Sequence, residues 1–102
     1  MNRIEMLESF MAKNPKDPFP RYGLALELRN AGRLEDARLR FADVVEQFPD
    51  YTAAYLHYGN LLVQMARKAD AIAVMKQGVA ACERKHDGHA LAELEGALAA
   101  LE

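Results

Sequence analysis

The sequence has 102 residues, of which 51% are apolar and 27% charged. That suits one globular domain with a small stability margin and is too apolar for a disordered chain. A formal net charge of −2 gives no broad attraction to nucleic acid or anionic membranes, and the single cysteine excludes an internal disulfide and a four-cysteine zinc site. No apolar run reaches the roughly 18 residues of a membrane-spanning helix. Residues 1–13 include Glu5 and Glu8 and lack the basic-then-apolar order of a signal peptide, so the expected compartment is the reducing cytoplasm.

In chain order, every predicted element is a helix. Apolar residues recur at spacings of three and four, not two, and Leu and Ala dominate. Ile4, Leu7 and Met11 make a first stripe over 2–13, which Asn14-Pro15 ends because the residue before proline disfavours helix. Pro18 and Pro20 open a second helix over 18–30, carrying Leu24 and Leu28. Asn30-Ala31-Gly32-Arg33 is a turn, with Gly32 placed for a left-handed backbone. Ala37, Phe41, Val44 and Val45 mark a third helix over 34–47. Phe48-Pro49-Asp50 breaks the chain again, and Asp50 or Thr52 is the expected cap of a fourth helix over 51–65, with Tyr55, Tyr58 and Leu62. A weaker break at Ala66-Arg67-Lys68 precedes a fifth helix over 68–84, carrying Ala71, Met75 and Val79. At His86-Asp87-Gly88, Asp87 is the expected cap and Gly88 the residue that permits the bend. The last helix, over 89–101, carries Leu91, Leu94, Leu98 and Leu101.

The pattern repeats. An offset of 34 residues aligns Leu24 with Tyr58, Ala25 with Gly59, Leu28 with Leu62, Ala37 with Ala71 and Phe41 with Met75. The same offset places Leu7 on Phe41, Phe10 on Val44, Met11 on Val45 and Pro15 on Pro49, so the first helix is the second half of a repeat. Packing explains the alternation: small residues let helices approach, and Phe41 and Met75 fill the spaces between. The five methionines and Phe10, Phe41 and Phe48 are therefore expected in the core.

On these residues the chain resembles the tetratricopeptide repeat family, whose pattern is W-x2-L-G-x2-Y, then Ala, Phe and Pro. Residues 18–51 supply Leu24, Ala25, Leu28, Gly32, Ala37, Phe41 and Pro49, and residues 52–85 supply Tyr55, Tyr58, Gly59, Leu62, Ala71 and Met75. Arg21 departs from the pattern where the aromatic belongs. Glu83 stands in place of a proline, so the fifth helix is expected to run on, and the last helix fits with about two extra residues in the preceding loop. The resemblance implies an all-α, right-handed superhelix of stacked helical hairpins: a single domain with a half repeat at 1–17, repeats at 18–51 and 52–85, and a capping helix at 86–102. Two halves and two whole repeats make the roughly three that such a stack needs, so a monomer is expected.

Motifs for catalysis are absent. Ser9, Thr52 and Cys82 are the only hydroxyl or thiol nucleophiles besides the tyrosines, and no phosphate-binding, nucleophile-elbow or H-E-x-x-H signature occurs. The expectation is no enzyme, no cofactor and no metal. Cys82 reads as a small buried filler, although Arg84 and Lys85 lie close in sequence. His86, Asp87 and His89 have metal-ligand chemistry, but they straddle a bend and read as a polar turn. Arg29, Arg33, Arg38 and Arg40, interleaved with Glu27, Glu35 and Asp36, read as a solvated face, not a nucleic-acid site.

What remains is an interaction module. The family resemblance implies a concave groove lined by the first helix of each repeat, holding a protein or peptide partner. Phe19, Tyr22, Leu26 and Arg29 form one outward stripe there, and Leu56, Asn60 and Val63 the matching one, with Ala53 at its start. Family members that bind acidic chaperone tails use paired Lys and Asn at these places, and only Asn60 matches here. The expected ligand is therefore apolar or amphipathic, anchored by Tyr22, Leu26 and Leu56 and oriented by Arg29 and Asn60. One alternative is that a terminal helix of the chain folds back and fills the groove, and another is self-association through Leu91, Leu94, Leu98 and Leu101.

Overall fold

A computed structural model describes all of residues 1–102. It contains six helices and no strand: α1 (Arg3–Lys13), α2 (Pro18–Asn30), α3 (Leu34–Gln47), α4 (Ala53–Gln64), α5 (Lys68–Lys85) and α6 (Gly88–Leu101). Every end lies within two residues of its sequence expectation. They form two compact units, Met1–Phe48 and Pro49–Glu102.

In the first unit α2 packs against both α1 and α3. Asn2 caps α1 by accepting the Glu5 N–H at 2.8 Å, and Asp17 caps α2 by accepting the Phe19 N–H at 3.0 Å, with Pro18 in the first turn. Leu24, Ala25 and Leu28 of α2 and Ala37, Phe41 and Val44 of α3 are buried. Arg21, where the repeat pattern asks for an aromatic, bonds Asp43 Oδ2 at 2.8 Å and lies 5.9 Å from the Phe48 ring centroid. It also donates to the Pro15 carbonyl at 3.3 Å. One repeat on, Tyr55 donates to the Pro49 carbonyl at 2.5 Å. The guanidinium thus makes the bond that a tyrosine makes in the second unit, but its Nε is left buried without a partner.

The second unit packs α5 against α4 and α6, with α6 also touching α4. Its core holds Ala54, Tyr55, Tyr58, Leu61, Leu62, Ala71, Val74, Met75, Ala81, Cys82, Leu94 and Leu98. As Glu83 foretells, α5 runs on for 18 residues.

Three expectations need correction. Thr52 does not cap α4 with its side chain; its backbone is already helical, and its hydroxyl donates to Asp87 Oδ2 at 2.7 Å. The loop before α6 bends at His86 (φ 55°), not at Gly88. Phe10, Met1 and Met6 are not core residues: Phe10 is 45% exposed and Met6 39%. On α3 the counterpart of Phe10, Val44, is fully buried, whereas α1 touches α2 alone and buries no residue completely.

Helices α2, α4 and α5 end alike. The N–H of Arg33 reaches Leu28 O at 2.9 Å, that of Arg67 reaches Leu62 O at 2.8 Å, and that of Asp87 reaches Cys82 O at 2.9 Å. Each closes a turn whose preceding residue is left-handed: Gly32 (φ 79°), Ala66 (φ 60°) and His86. Only glycine takes that conformation without steric cost. Ala66→Gly should therefore raise the stability of the chain by about 1 kcal/mol. Thermal unfolding checks this, and an unchanged or lower midpoint would place the left-handed residue elsewhere.

Candidate functional site

Four of the seven groove residues lie on α2. Its 3.6-residue period turns Leu24, Ala25 and Leu28 inward and leaves Phe19, Tyr22, Leu26 and Arg29 on another side. Phe19 is 62% exposed, and the other three are half-buried. The Tyr22 ring meets Phe41 of α3 edge-on, with centroids 6.4 Å apart, so its position is fixed by the core. Burial raises the Tyr22 hydroxyl above the ordinary tyrosine range, and the Arg29 guanidinium works in the opposite direction. Tyr22 therefore stays a neutral donor at physiological pH. Arg29 Nη2 donates to Asn30 Oδ1 at 3.5 Å.

On α4, Leu56 is half-buried, Asn60 is exposed and Val63 is 40% exposed, while Tyr55, Tyr58, Gly59 and Leu62 turn inward. The structure thus places each stripe on one side of one helix within its own unit. Phe19 is open to solvent, so α1 does not cover it within the first unit, and Asn60 and Val63 are open to solvent, so α6 does not cover them within the second. Chemically, each stripe offers apolar surface edged by one polar group capable of directional hydrogen bonds.

The leucine stripe is used differently. Leu94 and Leu98 are buried inside the second unit and Leu91 and Leu101 are half-buried, so α6 spends these residues on α4 and α5. Cys82 is buried too. Burial pushes its thiol up, and the Asp87 and Glu83 carboxylates push the same way, which is the reverse of what a reactive thiolate needs.

At the His86–His89 turn, Asp87 is committed to structure: Oδ2 accepts from Thr52, and Oδ1 accepts the Ala90 N–H at 3.1 Å. These bonds, the Thr52 bond first, hold its carboxyl below the usual range. His89 Nε2 lies 3.3 Å from Glu93 Oε1, one helical turn on. No three His, Cys, Asp or Glu side chains gather to hold a metal ion. In the arginine cluster, Arg33 pairs with Asp36 at 2.9 Å and Arg38 pairs with Glu35, both within one turn of α3. Such exposed pairs contribute a few tenths of a kcal/mol.

Sequence reasoning missed one feature. A cleft of about 390 Å³ is lined by α1, α2 and α3, with Leu24 and Leu28 joined by Ile4, Leu39 and Arg40. Leu39 is 54% exposed and sits off the repeat's buried stripe, the one signal that could have pointed there.

Against known proteins, the sequence profile of the tetratricopeptide repeat matches residues 28–92. A tetratricopeptide repeat domain protein from Salinibacter ruber, solved by solution NMR, is 35% identical with a TM-score of 0.82, over 86% of this chain and 89% of that one. The crystal structure of a tetratricopeptide repeat domain protein from Salinibacter ruber gives 34% identity and a TM-score of 0.79, over 84% and 96%. A solution structure of a protein from Bordetella parapertussis shares the fold at 22% identity, with a TM-score of 0.81 over 99% of this chain and 88% of that one. No functionally curated protein matches the sequence. No helix is long and apolar enough to cross a membrane.

Proposed function

The chain belongs to the tetratricopeptide repeat family, and from that premise we propose that it is a non-enzymatic adaptor or assembly factor of the cytoplasm, holding a segment of a partner protein on the outward sides of α2 and α4. Proteins of this family are in general protein-interaction modules. The observation that carries the reading to these residues is the solvent exposure of the apolar Phe19 and Val63 beside half-buried Tyr22, Leu26 and Leu56. Apolar surface edged by polar groups is how interaction sites commonly differ from the surrounding surface.

The chemistry favours an apolar or amphipathic segment. Tyr22 and Leu56 are anchors because their neighbours already hold them in place, so little side-chain entropy is lost on binding. Arg29 and Asn60 supply orientation, Arg29 to a carbonyl or carboxylate and Asn60 to a backbone amide.

A tagged chain used as bait identifies the partner by mass spectrometry. The test is then titration calorimetry with that partner. The double variant Tyr22→Ala, Leu56→Ala should weaken binding by about 2 kcal/mol, some thirtyfold, with the circular dichroism spectrum unchanged. Parental affinity in the folded double variant would remove the site from α2 and α4.

A further inference from the structure

In the first unit, α2 packs against α1 on one side and against α3 on another, and Ala37, Phe41 and Val44 of α3 are fully buried. In the second unit, α5 and α6 stand two repeats further along the same pattern. Ile72 matches Ile4, and Leu94 and Leu98 match Leu24 and Leu28. α4 packs against both helices of this second pair. Elsewhere along the pair is an open groove of about 540 Å³, lined by Lys76 and Val79 of α5 and by Glu95, Leu98, Ala99 and Glu102.

A helix of the type that would fill it is present elsewhere in the chain. α1 matches α3 at the repeat offset, yet it leaves Met6 and Phe10 uncovered. The charges agree as well. Where the two complete hairpins carry the small buried pairs Ala25 with Ala37 and Gly59 with Ala71, α6 carries Glu95 and α1 carries Arg3. α6 has three acidic residues, Glu93, Glu95 and the adjoining Glu102, and no Lys or Arg. α1 places Lys13 one turn beyond Phe10, and Lys13 makes no ion pair. Arg3 is 77% exposed in its pair with Glu27, an interaction weak enough to be exchanged for another carboxylate.

We propose that the uncovered side of α1 on one copy of this chain seats in the α5–α6 groove of a second copy, with Phe10 and Met6 against Val79 and Ala99 and with Arg3 facing Glu95. The contact joins two different surfaces, so it is heterologous: it closes into a ring or grows with concentration. It uses neither partner-binding stripe, so it stands or falls separately from the adaptor reading.

Sedimentation equilibrium of the 102-residue chain, from about 10 μM to about 1 mM, reads the result. The weight-average mass should rise above the monomer across that range. Phe10→Glu and Ala99→Arg alter one exposed surface each, and each alone should weaken association at least about tenfold while leaving the helical spectrum intact. The decisive arm mixes the two variants. Phe10→Glu keeps its groove and Ala99→Arg keeps its α1, so together they should form a one-to-one dimer that grows no further. Exchanging the charges in one chain, Arg3→Glu with Glu95→Arg, should restore association that Glu95→Arg alone weakens. A parent chain that stays monomeric to the top of the range overturns the proposal. So does a mixture of the two folded variants that fails to dimerise, which would assign any self-association to a symmetric contact instead.

Discussion

Gly78→Leu should lower the stability of the chain by about 3 kcal/mol. A Cβ at this position would lie 2.5 Å from Tyr55 Cβ and 2.9 Å from both Tyr55 Cγ and Leu94 Cδ1. The first contact decides the outcome, because a Cβ moves only with its backbone. At Gly78, therefore, α5 lies close against α4 and α6, and any side chain there must push helices apart. Gly59 differs. Its nearest neighbours are Met75 Cε at 2.6 Å and Cγ at 2.7 Å, side-chain atoms that can shift without moving the backbone, although Met75 is buried, so Gly59→Leu should cost less than Gly78→Leu. Gly96 has nothing within 4 Å, and Gly96→Ala should stabilise α6 by about 1 kcal/mol through helix propensity alone. Chemical denaturation of the three variants gives the order directly. If Gly78→Leu unfolds at the parental midpoint, α5 does not approach α4 at this residue.

The repeat was legible because packing imposes it. Helix-to-helix distance depends on residue size, so Ala25, Gly59, Ala37 and Ala71 must recur at fixed places, and all four are buried. Prolines and Gly32 punctuate the chain by local sterics, which need no tertiary information. The misses have one common cause: they depend on what stands opposite. Thr52 has the chemistry of a cap, but Asp87, far away in sequence, takes its hydroxyl. Ala66 and His86 do not advertise a left-handed backbone, yet the closing bonds to Leu62 and Cys82 require it. Phe10 follows the buried pattern of Val44 and is exposed because α1 has a neighbour on one side only. For the binding stripes, the sequence placed the residues on one side of each helix. It could not show that the Tyr22 ring is braced against Phe41 while Phe19 is free, a difference that matters for which of them anchors a partner.

Ala37→Leu should also cost up to about 3 kcal/mol, for a different reason. Ala37 lies in the first full turn of α3, with no accessible surface, and α3 packs on α2 where Leu24, Ala25 and Leu28 are themselves buried. The side chain has no solvent-facing rotamer to escape into. α3 would have to shift away from α2, and that would open the buried contacts of Phe41 and Val44 further along the same helix. Two positions on, Leu39 points outward at 54% exposure, so Leu39→Ala should change stability by no more than about 0.5 kcal/mol. The pair therefore tests the register of α3 on α2, since a rotation of the helix would exchange the two results. Guanidinium unfolding with an unchanged m-value isolates the native-state effect. If Ala37→Leu is as stable as the parent, the alignment of Ala37 with Ala71 is wrong, and with it the assignment of small residues to the helix contacts of both repeats.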